Sequence, residues 1–302
     1  MPSQPLPDPI ITFGSDETCT LDNCPVEWSI LSYQPSLASN IVFAALFAVI
    51  GLTHFYLGFR WRTWGFTIPM LIGCVTEIIG YIGRILLHNN PFSYPGFLIQ
   101  IICLTIAPVF YTASIYVTLS QSIIYLAPEL SRFKPQLFYY IFIPFDIVCL
   151  ALQAAGGAMS ADTTGSNKTG VDISQAGLSL QVIVLVLFIA AFGDYMFRYL
   201  RSGRASGFGW RLTAFFTGLT SATLLILARC AYRVAELQDG YDGKLIKEEA
   251  PFIVLEGVFV FLAASMLCFG HPGLGLKRDR AGGVKMENDS ETVVMDTIER
   301  RK

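Results

Sequence analysis

Residues 64–87 read WGFTIPMLIGCVTEIIGYIGRILL, and their only charges are Glu77 and Arg84. An apolar run of this length meets the requirement of about 20 residues for a helix crossing a hydrocarbon core of about 30 Å. At a rise of ~1.5 Å per residue, Glu77 falls a little past the middle of the span and Arg84 close to its far face. Seven positions apart, they share one side of the helix. A charge held at bilayer depth costs ~2.5 to 3.5 kcal/mol on insertion scales, so it faces a partner, a cavity or a transported ligand.

Six further runs flank this one, at 37–59, 97–126, 136–159, 174–197, 212–232 and 252–269. The composition agrees, with 53% hydrophobic and 15% charged residues and a mean hydropathy of +0.52, far from a soluble mix. The reading is an all-α polytopic membrane protein, a seven-transmembrane helix bundle. Residues 1–36 form an extracellular tail, 37–270 the bundle and 271–302 a polar cytoplasmic tail expected to be disordered.

Orientation follows from Lys and Arg. The first 36 residues hold none, whereas Arg60, Arg62, Arg132, Lys134, Arg198, Arg201, Arg204 and Arg211 fall in alternate loops on the side of the tail that begins near Lys277. The positive-inside rule therefore puts the N-terminus outside and the C-terminus in the cytoplasm. Asn167-Lys168-Thr169 is a glycosylation sequon in a loop assigned outside, and Cys19 with Cys24 forms a candidate disulfide in the external tail. The other five cysteines sit one per span without CxxC spacing, as small core residues do. No basic n-region precedes the first span, which is expected to act as its own insertion signal.

The remaining buried polarity gathers between the midplane and the outer face. Asp146 falls near mid-depth of the fourth span with Gln153 seven residues further out, and Gln100 and Gln181 reach similar heights from the third and fifth. Arg229, Arg233 and Glu236 form a stripe on the sixth span, and Glu256 enters the seventh from outside. Glu77 pairing with an arginine of the sixth span, or Glu236 with Arg84, is the structural alternative to a binding role. Even so, Glu77 and Asp146 lie deeper than the arginines, an imbalance that favours a cavity for a cationic or hydrogen-bonding head group. Pro69, Pro108, Pro144 and the pair Gly156-Gly157 lie within spans, where they kink helices or serve as common membrane-helix residues.

Several function classes are unsupported. The chain has no GxxxxGK[ST] phosphate loop, no HExxH and no GxSxG, and its histidines, His54, His88 and His271, lack metal-ligand spacing. Neither an enzyme, nor a cofactor, nor a metal site, nor a nucleic-acid partner is expected.

The sequence resembles the fungal RTA-like, or lipid-translocating exporter, family over roughly residues 15–275. The similarity rests on Tyr33-x-Pro35-Ser36 with Asn40 and His54, on Glu77-x-x-Gly80-Tyr81-x-Gly83-Arg84, and on Ala107-Pro108 with Ala113 and Tyr116. It continues through Asp146, Gln153, Gly156 and Gly157, then Gly177-Leu178 with Gln181. Its most specific stretch is Arg229-x-x-Tyr232-Arg233-x-x-Glu236, followed by Gly240, Gly243 and Glu249. Where the family commonly carries a His-Glu pair and an aromatic-rich stretch with an Asp before the last span, this chain has Glu248-Glu249, Ala250-Pro251 and Glu256. Substrate range is the property that departure touches.

The resemblance implies seven spans and export of amphiphilic lipids, notably sphingoid long-chain bases, with resistance to toxic lipids or sterol analogues. It also implies the plasma membrane, an internal membrane being the alternative. On this reading Glu77, Asp146, Gln153, Gln181 and Glu256 bind the lipid head group. Arg84, Arg229, Tyr232, Arg233, Glu236 and Glu249 form the external gate or its frame. The competing readings are a seven-span lipid-sensing receptor, with the basic loop 198–211 meeting a cytoplasmic partner, and an indirect regulator of lipid asymmetry.

Overall fold

The computed structural model describes residues 11–12, 14, 17–132, 134–161, 168–202, 209–238, 243 and 245–277. Each apolar run becomes one helix: α1 Leu37–Trp61, α2 Trp64–Asn89, α3 Tyr94–Leu126, α4 Leu137–Ala161, α5 Lys168–Arg201 and α6 Trp210–Leu237. The seventh, α7, is built in three pieces: Glu249–Phe252, a π-helical turn Ile253–Val258, and Phe259–Phe269. All seven are long and apolar enough to cross a membrane. The helices outrun the apolar windows, most of all α5, which starts at Lys168 rather than near residue 174, because polar residues continue a helix into the headgroup layer at little cost.

Local chemistry fixes the ends. The α1–α2 connection turns within two residues, with Arg62 in the left-handed region at φ 51°. Ser93 caps α3 by accepting from the Gly96 N–H at 3.3 Å, and Pro95 sits in the first turn, where no N–H is needed. α2 packs most extensively on α3, α4 on α5, α1 on α2, and α6 on α7, whereas α3 meets α4 only thinly. An aromatic core fills the middle and the end away from the N-terminal segment. In it Tyr116 and Phe188 meet at a tilt with ring centres 4.5 Å apart, Phe142 lies against both, and Phe66, Tyr111 and Phe215 are fully buried.

Two boundaries need correction. The stretch read as an external tail is packed onto the bundle from Glu17 onward. Cys19 and Cys24 are disulfide-bonded and bury Phe92, Leu31 packs with Leu87 and Phe97, and Gln34 donates to the His88 carbonyl at 2.8 Å. Its polar composition hid these contacts, which come from single side chains rather than a periodic face. At the other end, the tail expected from residue 271 begins later. His271 is fully buried, bonds Thr63 at 3.2 Å and meets Phe66 edge-on at 5.1 Å, so residues 271–277 close over that end of the bundle. Asn167, Gly240 and residues 278–302 lie outside the described residues.

Candidate functional site

The polar side chains near the N-terminal end of the bundle form three clusters. The first centres on Arg229, fully buried on α6. Its Nε donates to Glu256 of α7 at 2.9 Å, and its Nη2 donates to the carbonyl of Leu104 on α3 at 2.7 Å. That carbonyl is available because its helical partner four residues on is Pro108, which has no N–H. Glu256 also lies 3.3 Å from Arg233, which in turn pairs with Glu236 one turn along α6. The π-helical turn around Glu256 adds a residue to one turn of α7 and rotates the carboxylate toward α6, as such turns often do at functional positions.

The second cluster fastens the N-terminal segment. Arg84 is completely buried on α2. It donates to Asn40 at 3.1 Å and to the Tyr33 hydroxyl at 3.2 Å, lies 3.6 Å from Glu249, and covers the Phe252 ring at 3.8 Å. Stacking a guanidinium on an aromatic face offsets part of its desolvation. Glu249 also accepts the Ser36 N–H at 2.6 Å, at the start of α1. Burial pushes the Tyr33 phenol above its ordinary value against the opposing pull of Arg84, so it stays protonated at neutral pH.

The third cluster holds Asp146 and the glutamines. Thr112 on α3 donates to Asp146 at 3.1 Å, and Gln153 donates to Gln181 at 2.9 Å across α4 and α5. Neither Asp146 nor Glu77 has an ion pair among the described residues, and Glu77 Oε2 is buried without a hydrogen-bond partner. The anticipated pairings of Glu77 with α6 and of Glu236 with Arg84 do not form. Arg229 goes to Glu256 and Arg84 to Glu249 instead.

A cavity of about 270 Å³ opens among these clusters. Its polar lining is Arg84, Arg233, Glu236, Glu256, Gln100 and Gln153 with a few hydroxyl side chains, set among mostly apolar residues of α3, α4 and the N-terminal segment. The side-chain amide oxygens of Gln100 and Gln153 are buried without hydrogen-bond partners. Buried acceptors of this kind are costly unless something fills them. The sequence reading expected Glu77 and Asp146 to line this space, and neither does. Gln181 touches it only through Gln153, and Tyr232, buried on α6, is likewise absent from its wall. Helical rise orders Glu77 and Asp146 along their helices but does not give the direction in which each faces. Gln100, set aside as a height marker, belongs to the wall. Its polar type in an otherwise apolar turn of α3 was the available signal.

His54, read as a satisfied polar residue, is fully buried at the other end. There its Nε2 lies 3.2 Å from the Ala264 carbonyl and 3.4 Å from the Cys268 sulfur, while its Nδ1 has no partner. Among the described residues, no group of three or more His, Cys, Asp or Glu side chains is arranged to hold a metal ion.

Comparison with known proteins agrees with this architecture. The sphingoid long-chain base transporter RSB1 of Saccharomyces cerevisiae strain Lalvin EC1118 is 32% identical over an alignment covering 80% of this chain and 73% of the relative. Protein RTM1 of Saccharomyces cerevisiae is 32% identical over 67% of this chain and 66% of its own length. Protein RTA1 of Saccharomyces cerevisiae strain ATCC 204508 / S288c is 27% identical over 83% of this chain and 87% of its own length. No solved structure matches. The family profile described as RTA1 like protein matches residues 70–279, from α2 to the end of the described chain. With seven helices able to span a bilayer and a match over most of its length, this polytopic membrane protein belongs to the RTA1-like family.

Proposed function

We propose that the protein binds an amphiphilic lipid in the cavity at the N-terminal end of the bundle and carries it across the membrane, with sphingoid long-chain bases as the substrate class. The observation that carries this reading is a cavity of mixed lining, in which Gln100 and Gln153, each with an unpartnered side-chain oxygen, stand among mostly apolar residues. A sphingoid base suits such a lining, because its ammonium and hydroxyl groups can donate to amide oxygens and its tail is a single hydrocarbon chain. The printed name of the RSB1 relative points to this substrate class as well.

The Lys and Arg distribution and the Cys19–Cys24 disulfide support an N-terminus outside, with the cavity toward the exoplasmic leaflet. The plasma membrane is the proposed location. The lipid leaves chemically unchanged, and neither nucleotide nor metal takes part.

The test is reconstitution. Purified protein in liposomes should speed movement of a fluorescent sphingoid base between leaflets, and the recovered lipid should have its original mass. Protein that binds the base yet moves none in pure liposomes would overturn transport in favour of sensing, and an altered mass would overturn the non-enzymatic assignment.

A further inference from the structure

The cavity is closed at the N-terminal end of the bundle and open at its side. Ile30, Leu31 and Tyr33 of the N-terminal segment, with Ile246 from the α6–α7 connection, cover that end. Arg84, Glu249 and the His88 side chain, whose Nδ1 lies 2.7 Å from the Pro35 carbonyl, hold that cover in place. The side wall runs between α3 and α4, which pack far less extensively on each other than α3 does on α2 or α4 on α5. Ile102 and Thr105 from α3 and Ala154, Gly157 and Ala158 from α4 line the cavity. Ile102, Ala154 and Ala158 are exposed as well as cavity-lining, so the cavity is open along this stretch.

Gly156 and Gly157 separate packing from opening. A Cβ at Gly156 would lie 2.4 Å from the Gly170 carbonyl oxygen, so this glycine lets α4 and α5 touch. A Cβ at the next residue, Gly157, would meet nothing within 4 Å. Gly157 and its small neighbours Ala154 and Ala158 therefore leave space rather than fill it. Gln100 and Gln153 line the same cavity, and the side-chain oxygen of each is buried without a partner.

We infer that the α3–α4 cleft is a lateral portal and a binding subsite for the hydrocarbon chain of an amphiphile, which lies between Ile102 and Gly157 while its donor-bearing head group sits on Gln100 and Gln153. This rests on the proposed function, since it takes the cavity to hold lipid. The chain never leaves an apolar surrounding, because the portal lies within the spans and opens sideways to acyl chains. Only the head group changes solvent, and it finds acceptors inside.

The experiment obstructs the portal in two ways. Gly157→Trp, checked for folding by gel filtration, should lower the rate of fluorescent sphingoid-base movement in liposomes by about tenfold or more, the loss expected from excluding about two methylenes from an apolar surface. Ala154→Cys, assayed before and after modification with a bulky maleimide and compared with wild type treated identically, keeps the test valid if the tryptophan variant does not fold. Modification should slow that preparation by a similar factor and leave wild type unaffected. If wild type moves the lipid while the modified Ala154→Cys protein moves it equally fast, the portal is refuted and transport stands. If wild type itself moves none, the underlying transport reading has failed, and the portal with it.

Discussion

Arg229 and Leu104 are joined by a 2.7 Å hydrogen bond that exists because Pro108 cannot supply its own. The proline therefore contributes an acceptor at bilayer depth, where unfilled backbone carbonyls are scarce and costly. A guanidinium suits the place because its fork reaches Glu256 and the carbonyl together. Arg229→Gln leaves Glu256 buried beside Glu77 with less compensation and should destabilise the protein by ~3 to 5 kcal/mol, the range for breaking a buried pair from one side. Arg229→Lys should recover only part, since an ammonium is a compact point charge. Thermal unfolding in detergent ranks the three proteins, and an unchanged midpoint for Arg229→Gln would count against the network.

The N-terminal segment hangs on Arg84. One buried side chain reaches Asn40, Tyr33, Glu249 and the Phe252 ring, so its loss releases contacts on α1, α7 and the segment at once. Arg84→Ala should expose residues 17–35 to protease while the spans stay resistant. Equal cleavage of variant and wild type would show that the hydrogen bonds to His88 and the apolar contacts at Leu31 and Phe92 hold the segment without Arg84.

The Cys19–Cys24 bond closes a loop of only a few residues, for which the chain-entropy estimate is ~2 kcal/mol. That stabilisation should be local, because the loop packs on Phe92 and not on the aromatic core. Mild reduction is expected to raise amide exchange in residues 17–35 and leave the helices protected. Exchange that rises throughout the bundle would make the disulfide a determinant of the whole fold.

What the sequence made legible was position along each helix, and what it hid was direction. Seven apolar windows located seven helices, and the rise per residue ordered the polar residues along each of them. Azimuth is a different matter, since it depends on how neighbouring helices rotate against one another and on irregular turns. The π-helical turn at Ile253–Val258 brings Glu256 to Arg229, and no periodic signal announces it. The N-terminal segment was misread for a related reason. Tyr33, Gln34 and Pro35 act through individual hydrogen bonds to Arg84 and His88, and such contacts leave no pattern in composition.

Adjacent glycines on α4 should respond in opposite ways. Gly156→Ala drives a methyl into the Gly170 backbone, which has no flexible end to move aside, and overpacking of this kind costs ~1 to 3 kcal/mol or more. Gly157→Ala meets open space and should fold like wild type, with a small gain from the better helix former. Yield of monodisperse protein and thermal midpoint measure both. A tolerated Gly156→Ala would mean that α4 and α5 are less closely apposed than their backbones indicate.

Head-group recognition is assigned to the cavity wall, and the two classes of polar residue in α4 separate that assignment from the simpler idea that any buried acid matters. Gln153 lines the cavity with an unfilled oxygen, whereas Asp146, two turns away on the same helix, accepts from Thr112 and lies off the wall. In a host lacking its own exporter, Gln153→Leu should abolish resistance to added phytosphingosine while the protein still reaches the membrane. Asp146→Asn keeps an oxygen for Thr112 and should retain most of the resistance. The reverse ranking, with Asp146→Asn sensitive and Gln153→Leu resistant at equal expression, would move the substrate away from the cavity and toward the α3–α4 interior around Thr112.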